Sequence, residues 1–228
     1  MIDITYYGHS CFLFESDINV VCDPYIKENK YASHVDIQEI KPDYVLLTHG
    51  HWDHIADAKE IAENYEARMI GSVEVIEWFM NRGYQHTLKV NFGGKKNLSD
   101  QTWIKYVQAH HSSSLPDGSY GGSAGSFILQ TDGKSIFLAG DTALHSDMKM
   151  YGELYSFDLL ILPIGGTFTM DVDDAMHAAD LLNCDKVLGC HYDTFPAIEI
   201  DRKKAVETFR NRAGKTLTLL DIGKSMSI

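Results

Sequence analysis

A largely apolar run, Asp43-Tyr44-Val45-Leu46-Leu47-Thr48, opens directly into His49-Gly50-His51-Trp52-Asp53-His54. Such a run is typical of a strand covered on both faces, so the chain must supply a sheet with layers on either side of it. His49 and His51 are two residues apart where the chain leaves that strand, and in extended backbone their side chains share a face. Asp53 and His54 follow where a helix is expected to begin. Four ligand-type groups thus converge at a strand's carboxyl end, where open α/β sheets place their ligand sites. Imidazole together with carboxylate suits zinc and its neighbours better than calcium or magnesium. From this chain's own composition the pattern H-x-H-x-D-H should arise by chance in roughly two sequences per thousand, which makes it a strong signal.

Composition narrows what can surround this motif. The 228 residues, 44% hydrophobic and 23% charged, match one ordinary globular domain, which is the reading for residues 1–228. A formal charge of −12 argues against a surface that tracks phosphate backbones. No apolar run approaches the roughly 20 residues needed to span a bilayer, and Met1-Ile2-Asp3-Ile4 does not resemble an export signal. The expectation is a cytoplasmic protein with a small-molecule substrate, without a nucleic-acid or membrane partner, and with homo-oligomerisation left open. Cys11, Cys22, Cys184 and Cys190 show no CxxC spacing and read as reduced core thiols.

Short apolar runs alternate with longer amphipathic ones, which is α/β patterning. Strands are expected at Ile2–Tyr7, Cys11–Glu15 and Val20–Cys22, the last ending in Asp23-Pro24. The second half repeats the order, with strands Ile104–Ala109, leading to His110-His111, Ser126–Gln130 and Ser135–Leu138, ending in Gly140-Asp141. Phe157–Leu162 then answers Asp43–Thr48, and Lys186–Cys190 answers Arg68–Ile70. Two similar half-domains packed sheet to sheet explain this correspondence. Helices are expected at Asp53–Asn64, Ser72–Asn81, Val172–Asn183 and Asp201–Arg212, the third capped by Asp171. Ser112–Ser126, with ten Ser or Gly in fifteen positions, reads as a loop, either mobile over the site or merely connecting.

These elements resemble the metallo-β-lactamase superfamily, whose metal-binding elements run in the order of an HxHxDH loop, a later His after a strand, an Asp ending the next hairpin and a final His after a late strand. Tyr7-Gly8-His9-Ser10, Ala109-His110-His111-Ser112-Ser113-Ser114, Gly140-Asp141-Thr142, Pro163-Ile164-Gly165-Gly166, Phe168-Thr169-Met170-Asp171 and His191-Tyr192-Asp193-Thr194-Phe195-Pro196 more narrowly resemble UPF0173, a bacterial and archaeal family of metal-dependent hydrolases. The resemblance implies an αββα four-layer sandwich. It also implies that His49, His51 and His111 hold one divalent metal, that Asp53, His54 and His191 hold a second, and that Asp141 bridges them. Zinc is the expected metal, with manganese or iron as alternatives.

Of the adjacent histidines, His111 fits the family's position before the Ser-rich turn, and His110 stands where an apolar residue is usual. His9, in the turn after the first strand, is a candidate for a supporting hydrogen bond or for protonating the leaving group, with a structural His equally weighted. Tyr192 is a second candidate acid. Asp23 is read either as a buttress of the His49 loop or as a turn residue. His34, His86, His145 and His177 are expected at the surface or in local caps. The implied chemistry is hydrolysis by a metal-bridged hydroxide, with Asp53 accepting a proton, on a small ester, lactone, amide or related substrate. Competing readings are a phosphodiesterase, a mononuclear iron dioxygenase and a metal-binding protein without turnover.

Overall fold

The computed structural model describes residues 1–212 and 214–228. Strands β1 (Asp3–Gly8), β2 (Cys11–Glu15) and β3 (Asn19–Cys22) form an antiparallel meander, followed in parallel by β4 (Tyr44–Leu46), β5 (Arg68–Ser72) and β6 (Thr87–Val90). The second half begins with β7 (Lys95–Asn97), antiparallel to β8 (Trp103–Gln108). There β8, β9 (Gly125–Thr131) and β10 (Lys134–Leu138) repeat the meander, and β11 (Leu159–Pro163), β12 (Lys186–Cys190) and β13 (Thr216–Thr218) follow in parallel. The last strand, β14 (Lys224–Ser227), returns to pair with β1. The two seven-stranded sheets therefore have the same strand order and the same sequence of antiparallel and parallel pairings.

Helices α1 (Trp52–Ile55), α2 (Ala58–Tyr65) and α3 (Val73–Met80) belong to the first half, and α4 (Asp147–Leu154), α5 (Val172–Leu181) and α6 (Arg202–Asn211) to the second. Each half buries apolar groups on both faces of its sheet. Between the sheets, Phe12, Phe14 and Leu46 pack with Phe127, Leu129 and Ile161. Outside the first sheet lie Ile61, Ala62, Val75 and Phe79 of α2 and α3, and outside the second lie Ala175, Ala178 and Ala179 of α5 with Phe209 of α6. Each large apolar side chain buried this way contributes about 1.5–3 kcal/mol, so this layering is what holds the αββα sandwich together. The double covering explains why β11 reads Leu-Leu-Ile-Leu-Pro with no polar alternation.

One expected helix divides. The carboxylate of Asp57 accepts the backbone N–H groups of Ile26 (2.6 Å) and Lys27 (3.0 Å), and its own N–H donates to Pro24 (3.0 Å). These bonds turn the chain between α1 and α2, where the sequence pattern suggests continuous helix from Asp53 to Asn64. Helix α4 and strands β6, β7, β13 and β14 carry few buried residues and left little apolar periodicity to read. The other three expected helices agree to within two residues at either end. All four cysteines are unpaired and buried. Among the described residues no helix is long and apolar enough to cross a membrane.

The sheets are joined at the motif strand. Tyr106 of β8 donates its hydroxyl to the Thr48 carbonyl (2.8 Å), and the N–H of Gly125 reaches the same oxygen (3.0 Å). A Cβ on Gly125 would overlap the Tyr106 ring. Gly125→Ala is therefore expected to destabilise the protein by about 1–3 kcal/mol in urea unfolding, the usual cost of overpacking. An unchanged midpoint would show that the two sheets do not depend on this close approach.

Candidate metal centre

The site is assembled at one edge of the sandwich from chain segments that leave strands. His9 lies in the β1–β2 turn, Asp23 just after β3, and His49 to His54 after β4. His111 follows β8, Asp141 follows β10 and His191 follows β12. His9, Asp23, His191 and Asp193 all have positive φ (56°, 44°, 52° and 59°), a conformation uncommon outside glycine and tolerated best by Asn, Asp and His. Strain of this kind persists where surrounding bonds over-determine it, and the His191 N–H donates to the His9 carbonyl at 2.8 Å.

Asp23 sets the orientation of the first loop. Its Oδ1 accepts the Thr48 N–H (2.8 Å), and its Oδ2 accepts the Thr48 hydroxyl (2.6 Å) and Nδ1–H of His54 (2.9 Å). Because the single Thr48 hydroxyl proton is committed to Asp23, Thr48 Oγ1 accepts Nδ1–H of His49 at 3.0 Å. Both imidazoles are thereby fixed with Nδ1–H turned toward these acceptors and Nε2 presented inward, the orientation a metal ligand needs. His49 Nε2 meets His51 Nδ1 at 2.9 Å, and Nε2 of His51 faces Ser112 Oγ at 3.4 Å.

Three groups of donor atoms come together. His49, His51 and His111 form one, and His54 with Asp53, His191 and His9 forms another, with the donor atoms of each group all within 4.8 Å of one another. His49, His54 and Asp141 form a third between them. The Asp141 carboxylate touches both histidine sets, with Oδ2 at 3.0 Å from His191 Nε2 and 3.5 Å from His111 Nε2, and Oδ1 at 3.4 Å from His54 Nε2. The last contact brings charges together without hydrogen-bond geometry, so His54 Nε2 and Asp141 Oδ1 have no partner among the described residues, and neither has His191 Nδ1. A buried polar atom left unpaired costs about 1–3 kcal/mol. Buried imidazole nitrogens and carboxylate oxygens crowded together without protein partners are the arrangement a cation resolves, and imidazole nitrogen with carboxylate oxygen is the donor set of zinc and its neighbours. The residues fit a metal centre.

Electrostatics follow from this crowding. Burial holds the His49, His51 and His111 imidazoles below their ordinary pKa, with neighbouring histidines adding to the effect. Burial would do the same to His54, but the Asp141 and Asp23 carboxylates outweigh it and raise His54 well above its usual value. Burial, reinforced by His191, lowers His9 to about 4 despite its hydrogen bond to Asp53. The neutral His9 ring donates Nε2–H to Asp53 Oδ2 and receives the Thr194 hydroxyl at Nδ1, both at 3.0 Å. Burial would push the Asp53 carboxyl up; that hydrogen bond and the His54 charge hold it below the usual carboxylate range instead.

His111 points into the centre. His110 turns away and stacks on His145 at 4.4 Å with an 8° interplanar angle. His145 departs from the surface role expected of it, being only 6% exposed, because the segment after Asp141 folds back beneath His110. His34, His86 and His177 sit as expected, each against a backbone carbonyl. The Ser-rich loop is pinned by Ser113, whose Oγ accepts the Gly50 N–H (3.0 Å) and donates to the Gly121 carbonyl (2.9 Å). Thr48, Thr194 and Phe168 belong to the site and were not singled out from the sequence, although Thr48 adjoins the motif and the other two lie within quoted segments. Tyr192 is buried with its hydroxyl directed to the Leu220 carbonyl, away from the metal-type donors.

A hollow of about 270 Å³ opens over the donors, bordered by His51, Asp53, His111, Asp141, His191 and Phe168. A larger one, about 370 Å³, lies on the Thr194 side of His9. Its Arg202 is already tied to Asp193 at 2.8 Å, and it contains none of the metal-type donors except His9. The chemistry is placed in the smaller hollow.

Residues 3–191 match the profile of the beta-lactamase superfamily domain. A UPF0173 metal-dependent hydrolase of Methylacidiphilum infernorum is 48% identical over 209 residues, covering 91% of this chain and 92% of that one. The chain belongs to the UPF0173 family of metal-dependent hydrolases. A second member, from Flavobacterium johnsoniae, is 43% identical and covers 99% of both chains. The solved structure of Igni18, a metallo hydrolase from the archaeon Ignicoccus hospitalis, superposes with a TM-score of 0.89 at 32% identity, over 99% of this chain and 97% of that one. The UPF0173 chain therefore carries the metallo-β-lactamase fold, and the histidine and aspartate clusters are where it can bind metal.

Metal uptake should be coupled to proton release. His54 is raised in the metal-free protein, so it is protonated at pH 7 and must lose that proton to become a ligand. Affinity should rise with pH until His54 is neutral in the free protein, and stay flat above that point. Calorimetric titration of the apo-protein with Zn²⁺ in buffers of different ionisation enthalpy should show about one or more protons released per chain at pH 7. Zero release would contradict a protonated His54.

Proposed function

We propose that this protein binds two divalent cations, zinc first among them, and hydrolyses a small uncharged ester, lactone or amide. His49, His51 and His111 would hold one cation, Asp53, His54 and His191 the other, and Asp141 would bridge. The observation that carries the reading is the reach of the Asp141 carboxylate to histidines of both sets, since a carboxylate has two oxygens to share and a neutral imidazole one lone pair. When bound, such cations lower the pKa of water toward neutrality and polarise the scissile oxygen.

The chain's own groups supply the rest. Asp53 is ionised at neutral pH and takes the proton as water attacks, while the His9 Nε2–H bond holds its carboxylate in place. The water oxygen joins the carbonyl carbon, the C–O or C–N bond breaks, and the leaving atom takes a proton. Asp53, protonated in that step, is the group placed to return it, whereas His9 is neutral, does not border the hollow and acts by holding the Asp53 carboxyl in place. Among the described residues no Lys or Arg borders the hollow over the donors. Two carboxylates already face the cations there, and no fixed guanidinium or ammonium remains to hold further phosphate oxygens. That absence favours a neutral carbonyl substrate over a phosphodiester.

Elemental analysis of protein purified without chelator, coupled to a panel of esters, lactones, amides and phosphodiesters, tests this. Wild type should carry close to two metals per chain, and Asp141→Ala should lower turnover by more than about a hundredfold. His111→Ala should reduce metal content strongly, and His110→Ala should not. One metal in wild type, or full activity in Asp141→Ala, would sink the dinuclear reading.

A further inference from the structure

Phe168 is a large apolar side chain, 55% exposed, on the border of the same hollow as Asp53, His111 and Asp141. Its placement is enforced. The turn between β11 and α5 is closed by Gly166 N–H to the Met170 carbonyl (3.0 Å) and anchored by Met170 N–H to the Thr142 carbonyl (3.0 Å), next to Asp141. Thr167 enters the turn at φ 57°, costly for a β-branched residue, and its hydroxyl is secured on the Ala197 carbonyl at 2.7 Å. Local strain and three bonds thus hold an aromatic ring in water beside the reacting centre. Strain retained at a ligand site is ordinarily part of how that site works.

The border is chemically divided. His51, Asp53, His111, Ser112, Asp141 and His191 are its polar part and Phe168 its one apolar side chain, with no Lys or Arg among these lining residues. Small-molecule sites commonly combine a few placed polar groups with an apolar wall that takes the unreactive part of the ligand. We infer that Phe168 is a specificity-determining residue that packs against an apolar acyl group, alkyl or aryl, of the substrate whose carbonyl lies over Asp141. This rests on the hydrolase reading given above and adds to it the class of acyl group. An acetyl group is too short to gain from the ring. A chain of several carbons buries apolar area on it, and removing the ring exposes that area again.

The experiment uses the metal-loaded protein with 4-nitrophenyl acetate, butyrate and hexanoate, in wild type, Phe168→Ala and Phe168→Leu. In wild type kcat/KM should be about tenfold higher for hexanoate than for acetate. Phe168→Ala should bring the two to within about twofold by losing hexanoate activity, and Phe168→Leu should keep most of the preference because it keeps an apolar surface. Titration calorimetry with hexanoate and acetate ions gives a readout that needs no turnover. Wild type should bind hexanoate more tightly than acetate, and Phe168→Ala should lose the difference. Phe168-dependent binding of hexanoate in a protein that cleaves none of the esters would uphold the acyl wall and overturn the ester-hydrolase reading. Ester turnover with the same chain-length preference in wild type and Phe168→Ala would overturn the acyl wall alone. So would a change in oligomeric mass on Phe168→Ala with the preference intact, which would assign the ring to a contact between copies.

Discussion

A single buried carboxylate, Asp23, organises the edge of the sandwich on which the metal centre is built. It accepts one backbone N–H, one hydroxyl and one imidazole N–H, and through Thr48 it also determines the tautomer of His49. Asp23, Thr48, His49 and His54 are all buried, so each of these bonds is worth more than in water and each missing one would cost more. The result is that two imidazoles of the candidate site, His49 and His54, are held with their Nε2 atoms toward its centre.

The sheets make this arrangement tolerable. Crowding imidazoles around Asp53 and Asp141 leaves buried polar atoms without partners among the described residues, a destabilising situation. The opposing resource is the apolar packing of four layers, in which the Phe12 and Phe127 region between the sheets and the helices outside them form continuous cores. Tyr106 and Gly125 carry that rigidity to the site by bonding the Thr48 carbonyl from the second sheet. The repeated topology also matters for chemistry. The first half places its candidate metal-binding residues after β4, the second after β8, β10 and β12, and facing the sheets brings both contributions to one edge.

Much of the fold was legible wherever burial left a period. The meander strands, the doubly covered runs at β4 and β11 and the capped helices α5 and α6 are visible because apolar residues recur at strand or helix spacing, or run without a break. The exposed edge strands β7 and β14 lack that pattern and could not be read. The break between α1 and α2 was also hidden, because it comes from Asp57 capturing the N–H groups of Ile26 and Lys27, residues some thirty positions away in sequence. Resemblance to UPF0173 supplied the assignment of His111 over His110, which local pattern alone left open; in the fold, the two side chains leave the end of β8 in different directions.

By itself the sequence determined that a strand ends in a ligand-rich loop, that the chain is an α/β protein of two similar halves, and which residue types are available to a metal. Those properties live in short-range periodicity and in the chemistry of single side chains. Only the tertiary structure decided that Asp141 lies between two histidine sets, that His9 reaches Asp53, that His145 is buried under His110, and that Phe168 stands in solvent at the mouth of the site. Each of these is a distance between residues far apart in the chain, or an exposure set by a strained turn. Such quantities come into being only when the two sheets pack face to face.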